Sequence, residues 1–381
     1  MSMNQTSKPL QLYVDPSWKK EGVWSPLLFP FWGNPIPDTS LFAKELFDSF
    51  SYDTAYYQIT DDHSKADAVF PPYRLDWLRR REPELLQECI DRAKEYGLPL
   101  FVDGIGDGET PLYEEITYIL RYGGYRFLTK EMSTWGLPPH IRWEPNRIEI
   151  PTQADDLLFR RCKDTLTLRE KTDAKPVVGF TGMTSTTWKN MLHNRIEEIP
   201  FYIRSLYDRR FISMSRGIFW RQKAIAILEK SPLVTCNFKT NNFFSGSAIS
   251  VQGTMEDAQK TLIDIVQGSD YALDVRGDAN ASVRLYEILS LGRIPVIVDT
   301  ERILPFADVV DYKSFSLIVD FRDIRKLPRI IADFHASLTP EQFKDMQRKA
   351  REAYVNHFRV DAHMPHIIRE FNQLREANQQ T

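Results

Sequence analysis

The chain has 381 residues, of which 27% are charged and 42% are hydrophobic, and its formal net charge at pH 7 is −3. This length and composition predict a globular protein of two or three domains and exclude general disorder. Since 49 basic residues stand against 52 acidic ones, the main function is not to coat nucleic acid or an anionic membrane, and any site for an anion must be local.

Short apolar runs alternate with helical patterns along the chain, and we predict that the runs are strands. They lie at residues 12–14, 68–70, 100–102, 148–150, 177–180, 233–236, 271–275, 294–298 and 317–319. The clearest helical patterns are at 82–96, 255–266 and 282–291. A continuous series of strand, helix and strand predicts an α/β protein with parallel sheets that helices cover on both faces.

A charged segment at 171–176, closed by a proline, indicates a linker between two Rossmann-like domains. We therefore predict a first domain at 1–172 and a second at 173–350. The remaining segment, 351–381, has apolar residues at helical spacing. It either covers the sheet of the second domain or, as we predict, crosses back to the first.

Cysteine usage and hydropathy indicate the compartment. The three cysteines are widely spaced, without a C-x-x-C pair, which is typical of a reducing environment and gives no disulfide framework. The chain shows neither a signal peptide nor an apolar run long enough to cross a bilayer. We expect a cytoplasmic protein, with peripheral membrane association as a further possibility.

The segment from Asp274 to Asp299 carries the strongest functional pattern. A strand ends near Val275, a turn of small residues follows, and a helix begins near Ser282. Ligands of open parallel sheets bind at such turns, and the N-terminus of a helix favours phosphate. Arg276 and Arg284 add positive charge, so the segment predicts a cradle for a pyrophosphate group.

Glu287 lies one helical turn after Arg284. Its carboxylate could accept hydrogen bonds from the two hydroxyls of a ribose. The alternative is that Arg284 and Glu287 only pair with each other on a solvated helix face.

Residues 276–296, Arg-Gly-Asp-Ala-Asn-Ala-Ser-Val-Arg-Leu-Tyr-Glu-Ile-Leu-Ser-Leu-Gly-Arg-Ile-Pro-Val, with Leu-Pro-Phe at 304–306, resemble the signature of the exostosin family of glycosyltransferases. Segments 64–72, 148–151 and 177–182 resemble earlier landmarks of the family. The resemblance implies a GT-B fold, in which two Rossmann-like domains have parallel sheets facing a central cleft. It also implies a nucleotide-sugar donor in the second domain, an acceptor in the first, and metal-independent transfer with inversion. Unlike animal and plant members, this sequence shows no N-terminal membrane anchor and no paired cysteines, so it is similar to a soluble bacterial-type member.

The residues predicted to bind the donor all fall in the second domain. They are Arg276, Gly277, Asn280, Ser282, Arg284, Glu287, Thr181, Gly182 and Arg221. Thr181 and Gly182 end a strand, where small residues allow close approach of a phosphate but also suit an ordinary turn. Arg221 is the preferred residue of a basic stretch at 204–223, because the resemblance implies an arginine in that helix.

We expect no cofactor and no metal, since the Asp-x-Asp triplet of metal-dependent sugar transferases does not occur. The base that deprotonates the acceptor should come from the first domain, where Asp103, Asp107 and Glu109 lie on a glycine-rich loop after a strand. We favour Asp107. The alternatives are that these are ordinary turn residues, or that His63 is the base.

The sequence therefore predicts transfer of a sugar, from a UDP-sugar above all, to a hydroxyl of a glycan or glycolipid acceptor. A second interpretation is a catalytically silent subunit that binds donor or glycan and stabilises a partner transferase. A dehydrogenase is disfavoured because no Gly-x-Gly-x-x-Gly motif follows a strand. Trp24, Phe29, Phe31 and Trp32 either contact acceptor sugars, a membrane or a partner protein, or are buried.

Overall fold

A computed structural model of the chain describes residues 8–37, 41–106, 112, 116–134, 137, 143–184, 188–241 and 255–380. The chain forms two compact units. Unit 1 comprises Met1–Tyr122, Leu128–Ile150 and Arg359–Thr381, and unit 2 comprises Gly123–Phe127 and Pro151–Phe358. The boundary predicted after residue 172 thus lies within unit 2, and the end of the chain belongs to unit 1.

The strands are β1 (Leu10–Tyr13), β2 (Tyr57–Thr60), β3 (Ala68–Val69), β4 (Leu100–Asp103), β5 (Thr117–Arg121), β6 (Arg147–Glu149), β7 (Val177–Met183), β8 (Thr235–Asn241), β9 (Tyr271–Asp274), β10 (Ile294–Asp299) and β11 (Leu317–Asp320). The helices are α1 (Phe29–Trp32), α2 (Leu41–Ser49), α3 (Leu75–Arg81), α4 (Pro83–Tyr96), α5 (Leu157–Arg161), α6 (Trp188–Arg204), α7 (Gly217–Glu229), α8 (Met255–Gln267), α9 (Val283–Ser290), α10 (Leu327–Ser337), α11 (Pro340–Ala353) and α12 (Met364–Gln379).

Unit 1 contains a parallel sheet of order β2-β1-β3-β4-β5-β6. Helix α4 begins at a proline and ends at Gly97, whose φ of 65° lies in the left-handed region that favours glycine. Its apolar face is buried in the core of the unit. Helix α12 packs into the same core, where the ring of Phe371 lies 5.3 Å from that of Phe101 and 4.8 Å from that of Tyr118.

Unit 2 contains a parallel sheet of order β11-β10-β9-β7-β8. Counted from its own first strand, β7, this is the doubly wound order 2-1-3-4-5, and the first five strands of unit 1 follow the same order. The prediction of an α/β fold with a Rossmann-like parallel sheet is therefore confirmed for each of the two units. No helix in the described ranges is both long and apolar enough to cross a membrane.

Two strands were missed, and one was misplaced. Strand β2 is short and half-exposed, and β5 begins with Thr117 and ends with Arg121, so neither gives a plain apolar run. The strand predicted at 233–236 begins only at Thr235 and continues to Asn241. Because β8 is an edge strand that stays largely exposed, hydrophobicity alone could not locate it.

Candidate functional site

The order of the strands in unit 2 reverses between β7 and β9, and the predicted donor residues converge at that point. Thr181 and Gly182 lie near the carboxyl end of β7, and Arg276 and Gly277 follow β9. In open parallel sheets, ligands bind beyond the carboxyl ends of the strands at such a reversal. Arg221 of α7 connects the two segments, since its Nη1 donates to the Met183 carbonyl at 3.4 Å and its Nη2 lies beside Gly277.

The loop between β9 and α9 is a closed turn. The backbone N–H of Gly277 donates to the carbonyl of Ala281 at 2.8 Å, and α9 begins two residues later. Ser282 is the N-cap residue of α9, but its side chain makes no capping hydrogen bond. The first N–H groups of the helix are therefore not occupied by the side chain of their own cap, and they could bind an anion.

Arg276 is buried, and its guanidinium holds the loop in place. Its Nε donates to the Gly277 carbonyl at 3.1 Å, and its Nη2 to the Asp278 carbonyl at 2.5 Å. Its Nη1 donates to the Ser213 carbonyl at 3.1 Å and to the hydroxyl of Tyr125. Because most of its donors have protein partners, Arg276 contributes charge and rigidity in this structure.

Asn280 is a second anchor of the same loop. Its Nδ2 donates to the carbonyls of Gly124 and Thr300, each at 3.1 Å, and its Oδ1 accepts from Thr300 Oγ1 at 2.7 Å. The Asn280 side chain is buried, so it holds the loop in place from the protein interior. Whether Arg276 and Asn280 also contact a donor stays a prediction.

Gly217, which sequence reasoning missed, allows α7 to approach the loop. A Cβ at this position would lie 2.2 Å from the Gly277 carbonyl oxygen and 2.4 Å from that of Arg276. No larger residue fits without a shift of the backbone. A glycine at the start of a helical pattern was the signal that could have identified it. Nothing in the sequence indicated Tyr125, whose contact with Arg276 depends entirely on the fold.

The site concentrates positive charge. Burial lowers the pKa of Arg221 from its usual value, and the positive charges of Arg284 and Arg276 lower it further, whereas Asp278 and Asp274 act in the opposite direction. Cations that disfavour one another in a confined space favour a bound anion. Arg221 and Arg284 are the arginines that could bind it, since the guanidinium of Arg276 is engaged by the loop.

Arg284 and Glu287 form an ion pair, with 2.8 Å between Nη1 and Oε2. This pairing is what the alternative interpretation predicted, although each side chain is only 20% exposed. Whether either residue also contacts a donor stays a prediction. Both residues lie on α9, Arg284 in its first turn and Glu287 at the start of its second.

A buried ion pair lies below this site and was also missed. Arg302 Nη2 is 2.9 Å from Asp274 Oδ2, and the two side chains are 3% and 0% exposed. Asp274 ends β9, and Arg302 lies just after β10. The pair supports the carboxyl ends of adjacent strands.

The predicted base region is described only in part. Asp107 and Glu109 lie outside the described residues. Asp103, the last residue of β4, is 1% exposed, and it accepts hydrogen bonds from Ser25 Oγ at 2.6 Å and from the Ile105 N–H at 3.1 Å. Burial raises the pKa of Asp103. In this structure the Asp103 carboxylate is hydrogen-bonded to protein groups. It could contact a substrate hydroxyl only if those groups moved away.

The remaining predicted residues have ordinary surroundings. The ring of His63 stacks on Tyr96 at 4.2 Å. Phe29 is buried, while Trp24 and Trp32 pack edge to face at 5.7 Å. Among the residues that the structure describes, no three His, Cys, Asp or Glu side chains come together as metal ligands do. Metal independence stays a prediction.

Comparison with known proteins finds a family match within unit 2. Residues 207–334, which include α7 and the loop before α9, match the family model of the Exostosin GT47 domain. A probable glycosyltransferase of Arabidopsis thaliana is 32% identical over 99 residues, which are 26% of this chain and 18% of that protein. The Exostosin-1 homolog of Caenorhabditis elegans is 27% identical over 107 residues, 28% of this chain and 27% of that protein.

The resemblance to the exostosin family that the signature predicted is therefore confirmed for residues 207–334. The matched segments span less than a third of these two relatives. Among solved structures, a glycosyltransferase from Rickettsia africae aligns over 82% of this chain and 78% of that chain, with a TM-score of 0.37 and 11% identity.

Proposed function

We propose that this protein is a glycosyltransferase that uses a nucleoside-diphosphate sugar, specifically a UDP-sugar, and transfers the sugar to a hydroxyl of a glycan or glycolipid. The observation that carries the proposal is the convergence of Arg221, Arg284 and the N-terminus of α9 at the strand-order reversal of unit 2. The same region matches the Exostosin GT47 domain.

In this proposal the diphosphate lies against the first N–H groups of α9, between Arg221 and Arg284. These positive groups stabilise the charge that develops on the diphosphate as the glycosidic bond breaks, which is how preorganised donors lower a barrier. Glu287 already has Arg284 at its Oε2, so Oε1 is the oxygen that we assign to a ribose hydroxyl.

We further propose direct displacement with inversion and without a divalent ion. The acceptor oxygen attacks the sugar carbon from the face opposite the diphosphate, while a carboxylate takes its proton. Asp107 remains our choice for that base. A cytoplasmic location is consistent with Cys89, Cys162 and Cys236, which are all free thiols.

A thermal-shift panel tests donor binding. Uridine, guanosine, adenosine and cytidine diphosphate sugars are each added without and with EDTA. A ligand at about 100 times its Kd stabilises the folded state by about 2.7 kcal/mol, which is readily measured. We expect one base to give a selective shift that EDTA does not change. No shift from any sugar nucleotide would contradict the proposal, and loss of the shift in EDTA would contradict its metal-free part.

Turnover of the selected donor with an acceptor then separates an enzyme from a silent subunit. The proposal predicts release of free nucleotide that stops when Asp107 is replaced by Asn while donor binding is unchanged. Binding without turnover under every acceptor condition would instead favour the silent subunit.

A further inference from the structure

An apolar face of helix α6 is exposed to solvent. Ile196, Ile199 and Ile203 are spaced three and four residues apart, and Leu206 and Tyr207 extend the same face into the turn after the helix. These five side chains are between 50% and 90% exposed. On the opposite side of α6, Phe201 is buried. Helix α6 therefore has two apolar faces, one that is buried in unit 2 and one that is exposed to solvent.

Isolated exposed apolar residues are normal, but a continuous row along a helix usually marks an interaction surface. The most exposed members of this row, Leu206 at 83% and Tyr207 at 90%, lie at its C-terminal end. A strongly exposed apolar row that ends in a tyrosine suits a lipid surface, since tyrosine is enriched where apolar and aqueous phases meet.

The surroundings of the row are basic, although the whole chain is acidic. Residues 188–216 include six Lys and Arg but only three Asp and Glu. Of these acids, Glu198 is buried and Asp208 is paired with Arg210 at 2.7 Å. The charge beside the apolar row is therefore complementary to an anionic surface.

A cavity of about 320 Å³ borders the row, between α6 and α7. Its lining residues are Arg195, Glu198, Tyr202, Phe219, Gln222 and Lys223. The Arg195 guanidinium lies over the ring of Phe219 at 5.2 Å, and the Lys223 ammonium lies over the ring of Trp220 at 5.1 Å. Glu198 is the acid of the cavity, and one of its oxygens accepts the backbone N–H of Arg216 at 2.5 Å. Two cations thus stand at the wall of a cavity that could take a phosphate.

We propose that the exposed face of α6 docks unit 2 on a bilayer that contains anionic phospholipid. Ile199, Ile203, Leu206 and Tyr207 enter the boundary between headgroups and acyl chains, and Arg195 and Lys223 contact a headgroup phosphate. This docking does not depend on the proposed transferase activity. It identifies the surface and the lipid chemistry by which the protein reaches a membrane.

Sedimentation of the full chain with vesicles tests the proposal. One set is phosphatidylcholine alone, and the other contains about one third phosphatidylglycerol, each at about 0.1 M and about 0.5 M salt. We expect binding to the anionic vesicles that weakens at high salt, and little binding to the neutral ones. The double variant Ile203→Ser/Leu206→Ser should bind about tenfold more weakly, since it removes two buried side chains from the lipid.

The double variant Arg195→Gln/Lys223→Gln should lose the preference for anionic vesicles. Val309→Ser is the matched control, because Val309 is an exposed apolar residue of unit 2, 45% exposed, that lies far along the chain from α6. It should bind like the wild type. The thermal unfolding midpoint of each variant shows whether it is folded. If a variant of α6 does not fold, Leu206→Ser/Tyr207→Ser takes its place, because both residues lie after the end of the helix.

Three outcomes would overturn the proposal. The first is a wild-type protein that binds neither vesicle, and the second is an Ile203→Ser/Leu206→Ser variant that binds as the wild type does. The third is a wild-type dimer, measured by sedimentation, that the same substitutions convert to monomer while vesicle binding is absent. That result would assign the face to a second copy of the chain.

Discussion

Arg284 is the residue on which donor binding depends most directly in the proposed function. Replacing it by Gln removes a positive charge beside the N-terminus of α9 and leaves Glu287 without its partner at 2.8 Å. Charge-assisted hydrogen bonds contribute about 1.5–3 kcal/mol, so we expect the affinity for the selected sugar nucleotide to fall by about tenfold or more. Titration calorimetry measures the change.

Arg329→Gln is the control for this substitution, because Arg329 forms an exposed ion pair with Asp333 on α10 of the same unit. It should leave the affinity unchanged. Equal affinities for wild type and Arg284→Gln would place the diphosphate elsewhere.

Arg302 supports the fold rather than the ligand. Arg302→Met leaves Asp274 fully buried without its counter-charge, and breaking a buried pair in this way costs about 3–5 kcal/mol. Denaturant unfolding should therefore show a large loss of stability. The companion variant Asp274→Leu/Arg302→Met, which removes both charges, should recover most of it. A single variant as stable as the wild type would show that the pair has little effect.

Asp103 gives a stability that depends on pH. Burial raises its pKa in the folded state above the value of about 3.9 in an unfolded chain. The stability that Asp103 contributes is therefore fully present below its pKa in the unfolded chain. This stability is lost as the pH rises through its pKa in the folded protein. Relative to Asp103→Asn, which does not titrate, the wild type should lose stability as the pH rises from about 4 towards neutrality. Urea unfolding at several pH values measures this difference.

Val309→Ser, an exposed substitution that changes no charge, is the control and should show no such trend. A difference between wild type and Asp103→Asn that is constant or that grows with pH would contradict the assignment of burial as the dominant effect.

At the scale of elements, the contact between α7 and the loop after β9 depends on one glycine. Gly217→Ala places a methyl group within 2.4 Å of two backbone carbonyl oxygens, so the helix or the loop must shift. We expect a cost of about 1–3 kcal/mol in stability, together with weaker donor binding. Gly277→Ala is the informative contrast, because its methyl would meet only ordinary contacts at 3.5 and 3.8 Å. It should keep stability but crowd the space beside Arg221.

How far the sequence predicted this architecture depends on the kind of element. Buried strands such as β4, β9 and β10 are apolar along most of their length, so hydrophobicity located them. Strand β5 is equally buried, but its polar ends are accommodated by tertiary contacts, such as those of Arg121 with the Gly104 carbonyl and with Glu144. Such contacts between distant residues leave no local pattern.

The candidate site shows the same division. The signature at 276–287 located the loop and the helix, because its turn and its charges are local features. The functions of Arg276 and Asn280 within the loop were not predictable, since their partners Tyr125, Ser213, Gly124 and Thr300 come from three other segments. A residue that the sequence pattern indicates as a ligand contact can thus have its hydrogen-bonding groups engaged by other residues of the protein.

At the scale of the whole molecule, the last helix completes unit 1 although it follows unit 2 in sequence. Phe371 of α12 is fully buried among Phe101 and Tyr118, so Phe371→Ala should cost unit 1 about 3–5 kcal/mol. Because the two units have separate cores, we expect calorimetry of this variant to resolve two unfolding transitions. The selected sugar nucleotide should raise the midpoint temperature of the unit 2 transition only. Leu374→Ala, at a partly buried position of the same helix, should show a smaller effect. A single transition that moves as a whole with ligand would instead show that the units unfold together, so that loss of α12 packing would also weaken the donor site.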